Sequence, residues 1–221
     1  MTVIELNQHI GNQTQHLLLF IFTIFLVWLI LFIYSLKTFG LKRTIRYFVP
    51  IMIVGLFIES GGVATGNYYY PDYFLYLNVL GGSVPLIIVL GWSVNLFLFL
   101  HLSIQFTNKI YRKQNHIKLI LISFFASMFG LCFDLLQDPL AHHNQWWIWT
   151  ATNPSSLQYY GVPPWNFRGW FILIFLLALT TLLIDSSGFS EKRKVLLSIT
   201  STALIGGIIL GIRLTLTFLV N

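Results

Sequence analysis

Six apolar runs, each long enough to cross a lipid bilayer, leave this chain of 221 residues little choice of fold. A helix needs about 20 mostly apolar residues to span the hydrocarbon core. The second run is the least regular, because Pro50, Gly55 and Glu59 interrupt it. The alternating segments of about 10 residues that build a transmembrane barrel are not seen in the sequence. We therefore predict an all-α, polytopic transmembrane helix bundle that forms a single membrane domain over residues 1–221, with spans at about 17–36, 47–64, 84–106, 117–136, 167–184 and 195–220.

The composition argues against a water-soluble globule and against nucleic-acid binding. Hydrophobic residues make up 56% of the chain and charged residues 9%, whereas soluble domains carry about 25% charged residues. The net charge of +6 comes from short basic clusters between apolar runs. The single cysteine, Cys132, cannot form an internal disulfide. The first run follows polar residues that include Glu5 and no basic segment, so we predict a membrane helix there and not a cleaved signal peptide.

The basic residues indicate the orientation of the helices. All but two of the 13 lysines and arginines lie in or beside the first, third and fifth loops, the exceptions being Arg168 and Arg213. Cytoplasmic loops carry such an excess, so both termini and the two long loops are expected outside. The long loops, residues 59–83 and 138–166, are predicted to form a lid over a site. The expected location is a prokaryotic plasma membrane, with the active site toward its outer face.

Three acidic residues near the outer ends of the spans are candidate catalytic groups. At 1.5 Å rise per residue, Asp134 lies roughly 24 Å above Lys118, and Glu59 and Arg213 reach a similar level on other spans. Ionisable groups at membrane depth usually face a bundle interior or a cavity. We therefore expect three helices to deliver Glu59, Asp134 and Arg213 to one layer. The candidate catalytic residues are Glu59, Asp134 and Asp138.

The spacing of Asp134 and Asp138 places both carboxyl groups on one face of a helix, which Pro139 is expected to end. Two neighbouring carboxyl groups in a poorly hydrated site leave one of them neutral and able to donate a proton. The alternatives are structural. Asp138 can solvate a helix end, Asp134 can pair with Arg213, and Glu59 can be hydrated by lipid headgroups.

Aromatic residues in the second long loop and the helix after it are predicted to form a wall of the site. Their ring faces can stabilise a cation or hold a flat apolar molecule, although some of them can equally belong to an interfacial aromatic belt. No metal site is predicted, because the adjacent His142 and His143 point in different directions and no second ligand pair supports them. The predicted substrate-binding residues are Trp147, Trp149, Tyr159, Tyr160, Asn166, Trp170 and Arg213.

Several motifs between residues 57 and 171 carry a resemblance to a known family. They are Glu59-Ser60-Gly61 with Thr65-Gly66, Pro85 with Trp92, Asp134 to Asp138-Pro139-Leu140-Ala141, Trp147-x-Trp149, and Tyr159-Tyr160-Gly161-Val162-Pro163 with Asn166-Phe167 and Gly169-Trp170. The last string is the specific one. Together they resemble the integral-membrane carotenoid hydratases of the bacterioruberin and γ-carotene types. The chain departs from that family in its shorter length, its His-His pair and Arg168.

The resemblance implies an enzyme that adds water to the terminal C=C bond of an acyclic (ψ) carotenoid end. The reaction would proceed by protonation, a tertiary carbocation and water capture, and it needs no cofactor. The implied roles are Asp134 or Glu59 as the acid, Asp138 placing water, Asn166 and Tyr160 orienting it, and Trp147 and Trp149 facing the cation.

Two other functions remain open at this point. The same acidic, aromatic cavity would suit a protein that binds or transports a lipid or isoprenoid, although transport calls for polar residues through the whole depth and Asn95 is the clearest mid-depth candidate. A related carotenoid or isoprenoid cyclase shares the protonation step but excludes water. The expected partners are a hydrophobic carotenoid or isoprenoid substrate, membrane lipid and other enzymes of the carotenoid pathway.

Overall fold

The computed structural model is a bundle of long helices with two small sheets at one end. It describes residues 3–71, 73–150 and 158–220, and within these ranges the side chains of residues 3–13, 213, 214 and 216–220 are not described. Six helices of the described part are long and apolar enough to span a membrane, which confirms the predicted all-α bundle. They are α1 Val3–Phe39, α2 Leu41–Ala64, α3 Leu86–Ile110, α4 His116–His143, α5 Pro164–Ser186 and α6 Glu191–Val220.

The two long loops are joined to each other by backbone pairing. Strands β2 (Tyr76–Val79) and β3 (Gly82–Pro85) form a hairpin within the first of the two long loops. Strands β1 (Tyr68–Tyr69) and β4 (Ile148–Trp149) come from different loops and pair antiparallel. The described parts of the two loops, residues 65–71, 73–85, 144–150 and 158–163, therefore act as one layer over the end of the bundle, which we call the roof.

Close packing between α2 and its neighbours sets the position of the roof. Gly55 lies directly against the Trp92 ring of α3, so that a side chain at residue 55 would collide with the indole. Gly62 lies in the same way against the ring of Tyr68 in β1. These two glycines let a tryptophan and a tyrosine approach the same face of α2, on either side of Glu59.

Helix α4 continues past Pro139, so the prediction that this proline ends the helix is wrong. A proline removes only its own backbone hydrogen bond and crowds one carbonyl, and the helix goes on for a further turn to His143. Backbone N–H groups of Asn144 and Trp146 then bond to the carbonyl groups of Leu140 and Ala141, at 2.9 and 2.8 Å. Asp134 and Asp138 consequently both lie inside regular helix.

A buried arginine ties three helices together at the end opposite the roof. The Arg46 side chain of α2 is 1% exposed, and its Nη2 atom lies 3.0 Å from Asp185 Oδ1 in α5 and 3.5 Å from Glu191 Oε2 in α6. The Tyr47 hydroxyl donates to Asp185 Oδ2 at 2.8 Å. Because a buried guanidinium needs a counter-charge, these contacts fix the spacing of α2, α5 and α6.

Replacing the half-buried acid that faces Arg46 should destabilise the bundle. In Asp185→Asn, Arg46 loses its nearest counter-charge, and we expect the free energy of unfolding in detergent micelles to fall by about 3 kcal/mol. Glu191→Gln is the matched control, because the Glu191 side chain is 44% exposed and such pairs contribute less than about 1 kcal/mol. Equal losses in the two variants would contradict the assignment.

Candidate active site

A cavity of about 550 Å³, including its open mouth, lies between the roof and the bundle. Helices α1 to α5 and both roof strands β1 and β4 contribute to its walls. Ligand sites of this kind are apolar in the main, with a few convergent polar groups. The polar side chains that line it, besides two tyrosines, are Glu59, Asn95, Gln137, Asp138 and Asn166.

Glu59 is held by three donors from three different elements. Its Oε2 atom accepts hydrogen bonds from the hydroxyl groups of Tyr68 and Tyr70, both at 2.5 Å. Its Oε1 atom accepts from Trp92 Nε1 at 2.7 Å. Burial, reinforced by the Glu59 charge, raises the pKa of Tyr70 well above its ordinary value, so this hydroxyl stays a donor. An ionised carboxylate accepts hydrogen bonds and donates none, which fits all three contacts.

The two aspartates of α4 form a buried pair bridged by one amide. Asn166 Nδ2 donates to Asp134 Oδ2 at 3.0 Å and to Asp138 Oδ2 at 2.6 Å. Asp138 lines the cavity, whereas Asp134 is fully buried behind it. Their carboxyl groups also interact directly. Among the described side chains neither has a lysine or arginine partner, and like charges this close do not both ionise readily, so the pair is suited to share a proton.

The local sequence explains why one asparagine reaches both acids. Asp134 and Asp138 are one turn apart on α4 and therefore stack on one face. Asn166 lies in the first turn of α5, which Pro164 begins in the position where a proline best starts a helix. The backbone N–H of Asn166 bonds to the Pro163 carbonyl at 3.0 Å, which leaves its side chain directed at α4.

Aromatic rings surround the carboxyl groups. Trp147 and Trp149 of the roof are 8% and 5% exposed and line the cavity. Trp92 and Trp170 are stacked beside it, with ring centroids 4.4 Å apart and planes 16° apart. Phe20 of α1 completes the wall. These rings give the cavity an aromatic lining around its carboxyl groups.

The structure brings together most of the site residues that the sequence predicts, but not all of them. Those that line the cavity are Glu59, Asp138, Trp147, Trp149, Asn166 and Trp170. Asp134 lies one layer behind them. Tyr159 and Tyr160 do not line the cavity, and Tyr160 is 76% exposed. The prediction for Arg213 falls on a side chain outside the described residues.

The turn that contains Tyr159 and Tyr160 lies on the roof instead. Tyr159 and Val162 exchange two backbone hydrogen bonds of 3.0 Å, and Gly161 between them packs against the ring of His142. His142 Nδ1 accepts from the backbone N–H of Trp149 at 3.3 Å. The motif therefore connects the end of α4 to the strand that carries Trp149.

Sequence reasoning missed the donors to Glu59. Tyr68 and Tyr70 fit the pattern of interfacial membrane anchors, and Trp92 enters the sequence analysis only through the family resemblance. A usable signal was present, since residues two apart in an extended segment share a side and this pair follows Glu59 after a glycine-rich turn. Gln137 and Phe20 carry no signal of this kind in the sequence.

Comparison with known proteins identifies one family. The family described as "Carotenoid biosynthesis protein" matches residues 18–220, which is most of the chain. No match was found among curated proteins or among solved structures. The matched range begins inside the first span and includes the other five, together with every described residue that lines the cavity.

The close approach of Gly62 to Tyr68 provides a test of the Glu59 site. In Gly62→Ala the added methyl group collides with the tyrosine ring, which must move its hydroxyl away from Glu59. We expect the free energy of unfolding to fall by about 1–3 kcal/mol and the roof to become more sensitive to proteolysis. Gly169→Ala is the control, because open space surrounds that position. Equal stability of both variants would show that Tyr68 is not fixed in this way.

Proposed function

The chain belongs to the carotenoid biosynthesis protein family, and from this membership and the cavity we propose that it is a hydratase of acyclic carotenoid ends. It would add water to the terminal C=C bond through a tertiary carbocation. The observation that carries the proposal is the bridged pair of Asp134 and Asp138 at the wall of an aromatic cavity. A proton donor and a cation-stabilising surface are the two things that this reaction requires.

Asp138 is the proposed proton donor, since it reaches the cavity and Asp134 does not. Its O–H bond breaks, the π bond of the alkene breaks, and a C–H bond forms at the inner CH carbon of the double bond. The positive charge is left on the terminal, dimethyl-substituted carbon, which is tertiary. The Asn166 amide donates to both carboxyl groups and so stabilises the carboxylate that remains on Asp138. Glu59, which already accepts three hydrogen bonds, is less suited to this step.

Glu59 and the indole rings are proposed to stabilise the carbocation. A fixed carboxylate beside the cavity lowers the energy of a positive charge that develops there. The ring faces of tryptophan attract cations in the same way, and Trp147 and Trp149 line the same space. The donors on Glu59 hold it in place, so little reorganisation accompanies the reaction.

Water capture completes the reaction and regenerates the acid. The oxygen of a water molecule forms a C–O bond with the cation, and its released proton returns to Asp138. Asn166 donates both of its described side-chain bonds through Nδ2, which leaves its carbonyl oxygen to orient the water. Atoms and charges balance without a cofactor.

The substrate would reach the cavity from the lipid. The half-exposed lining residues include Ile24, Ile87, Gly91 and Trp170, and all four belong to membrane-spanning helices. The roof covers the opposite side with the buried side chains of Trp147 and others. An apolar polyene dissolved in the bilayer could insert one end laterally without crossing water.

Production of the protein in a lycopene-producing bacterial host tests the activity. We expect a more polar pigment that is one water heavier by liquid chromatography and mass spectrometry. Asp138→Asn should lower its yield by about 100-fold or more, as for loss of a general acid, while Glu191→Gln at the other end of the bundle should not. An unchanged pigment profile with folded protein in the membrane would reject the proposal, and a new pigment of unchanged mass would indicate a cyclase.

The proposed outer position of the site can be tested by labelling. In a Cys132→Ser background, Leu80→Cys in the roof should react with a membrane-impermeant maleimide on intact cells, because the roof is expected outside. Gln114→Cys between α3 and α4 should react only after the cells are permeabilised. Both positions are exposed in the structure. The reverse pattern would place the site on the cytoplasmic side.

A further inference from the structure

Two amide side chains that line the cavity have no hydrogen-bond partner among the described residues. Asn95 of α3 and Gln137 of α4 are both half-buried lining residues. Neither side chain bonds to another group in the described part of the chain. Neither amide takes part in the proposed proton donation by Asp138, in the Asn166 bridge or in the hydrogen bonds to Glu59.

At the depth of these residues, an amide without a hydrogen-bond partner is strongly destabilising. Asn95 is nine residues inside α3 from its roof end, or about 14 Å at 1.5 Å per residue, which is near the middle of a hydrocarbon core about 30 Å thick. An amide in apolar surroundings costs several kcal/mol unless something bonds to it. The cavity is therefore expected to supply a polar group at this level.

A hydrocarbon chain end cannot be that group, but water can. We propose that Asn95 and Gln137 form a water-binding subsite, which holds the molecule that captures the carbocation. This inference rests on the proposed hydration and deepens it. An amide both donates and accepts, so two of them can hold a water molecule and leave one lone pair of its oxygen directed at the cation.

The positions of the two residues suit this role. Asn95 is one helical turn from Gly91 and three residues from Trp92, and all three line the cavity, so they share one face of α3. Gln137 directly precedes Asp138 on α4. The water would thus lie near the carboxyl group that receives its proton, on the side of the cavity away from the roof.

Loss of the subsite should divert the cation without preventing its formation. When no water is held, the cation returns a proton to the Asp138 carboxylate and becomes an alkene of unchanged formula. In D2O, part of that alkene carries deuterium, because the donated proton is then a deuteron. Deuterium in unhydrated pigment therefore reports protonation, and the hydrated pigment reports capture.

The experiment compares variants in membranes incubated with lycopene in D2O. In Asn95→Leu, the ratio of hydrated to deuterium-labelled unhydrated pigment should fall about tenfold, as for the loss of one hydrogen bond to the reacting water. Gln137→Leu, on a different helix, should shift the ratio in the same direction and gives an independent readout. Asn95→Ser keeps a polar group and should retain more of the hydrated product. Gln105→Leu is the matched control, because this amide lies on α3 outside the cavity and is exposed.

The outcomes separate this inference from the function on which it rests. An unchanged ratio in both leucine variants would overturn the subsite and leave the hydratase intact. Lycopene contains no oxygen, so residues that recognise a hydroxyl group of some other substrate would also give this result. A parallel fall of hydrated and labelled pigment would show that the amides are structural. If the wild-type protein forms no hydrated pigment, the proposed function fails and the subsite fails with it.

Discussion

The hydrogen bonding of three acidic side chains inside an apolar bundle is the constraint on which this structure depends. Polar groups in hydrocarbon must find partners within the protein, and here the partners come from separate elements. Tyr68, Tyr70 and Trp92 bond to Glu59, and Asn166 bonds to both aspartates. Removal of one donor leaves a buried acceptor unpaired. The same bonds therefore order the roof, connect α4 to α5 and shape the cavity.

Backbone packing makes these partners available. Trp92 reaches Glu59 because Gly55 lets its indole lie against α2. Tyr68 reaches Glu59 because Gly62, about one turn beyond Glu59, lets the tyrosine ring lie against the same helix. The pairing of β1 with β4 then places Trp149 opposite Tyr68, with their ring centroids 4.8 Å apart. Tyr68 therefore contacts both Glu59 of α2 and the aromatic wall that the second long loop forms.

The features that depend on local pattern were predictable from the sequence, whereas those that depend on tertiary contact were not. Hydropathy alone predicts the six spans, and a spacing of four predicts that Asp134 and Asp138 share a face. The donors to Glu59 required knowledge of how a loop folds back on α2. Tyr160 and Trp149 are both aromatic residues of the second long loop. A turn with positive φ at Tyr160 nevertheless leaves its side chain on the outside of the roof. The prediction for Pro139 was wrong because a proline only favours the end of a helix. The contacts of the last turn of α4 outweigh that preference.

The two kinds of carboxyl environment in one cavity suggest how a single site could both protonate an alkene and bind the resulting cation. The aspartates share one amide and have no lysine or arginine partner among the described side chains, which favours a shared proton. Glu59 has three donors and fits a fixed anion. In the proposed mechanism the tryptophan roof limits the access of bulk water. A cation formed in the cavity would then lose its proton or cyclise unless water were already held. An aromatic wall alone does not choose between these fates. In the proposed mechanism, polar groups on the wall at the depth of Asn95 make that choice. The outcome would then depend on the amides of Asn95 and Gln137 as well as on the acids.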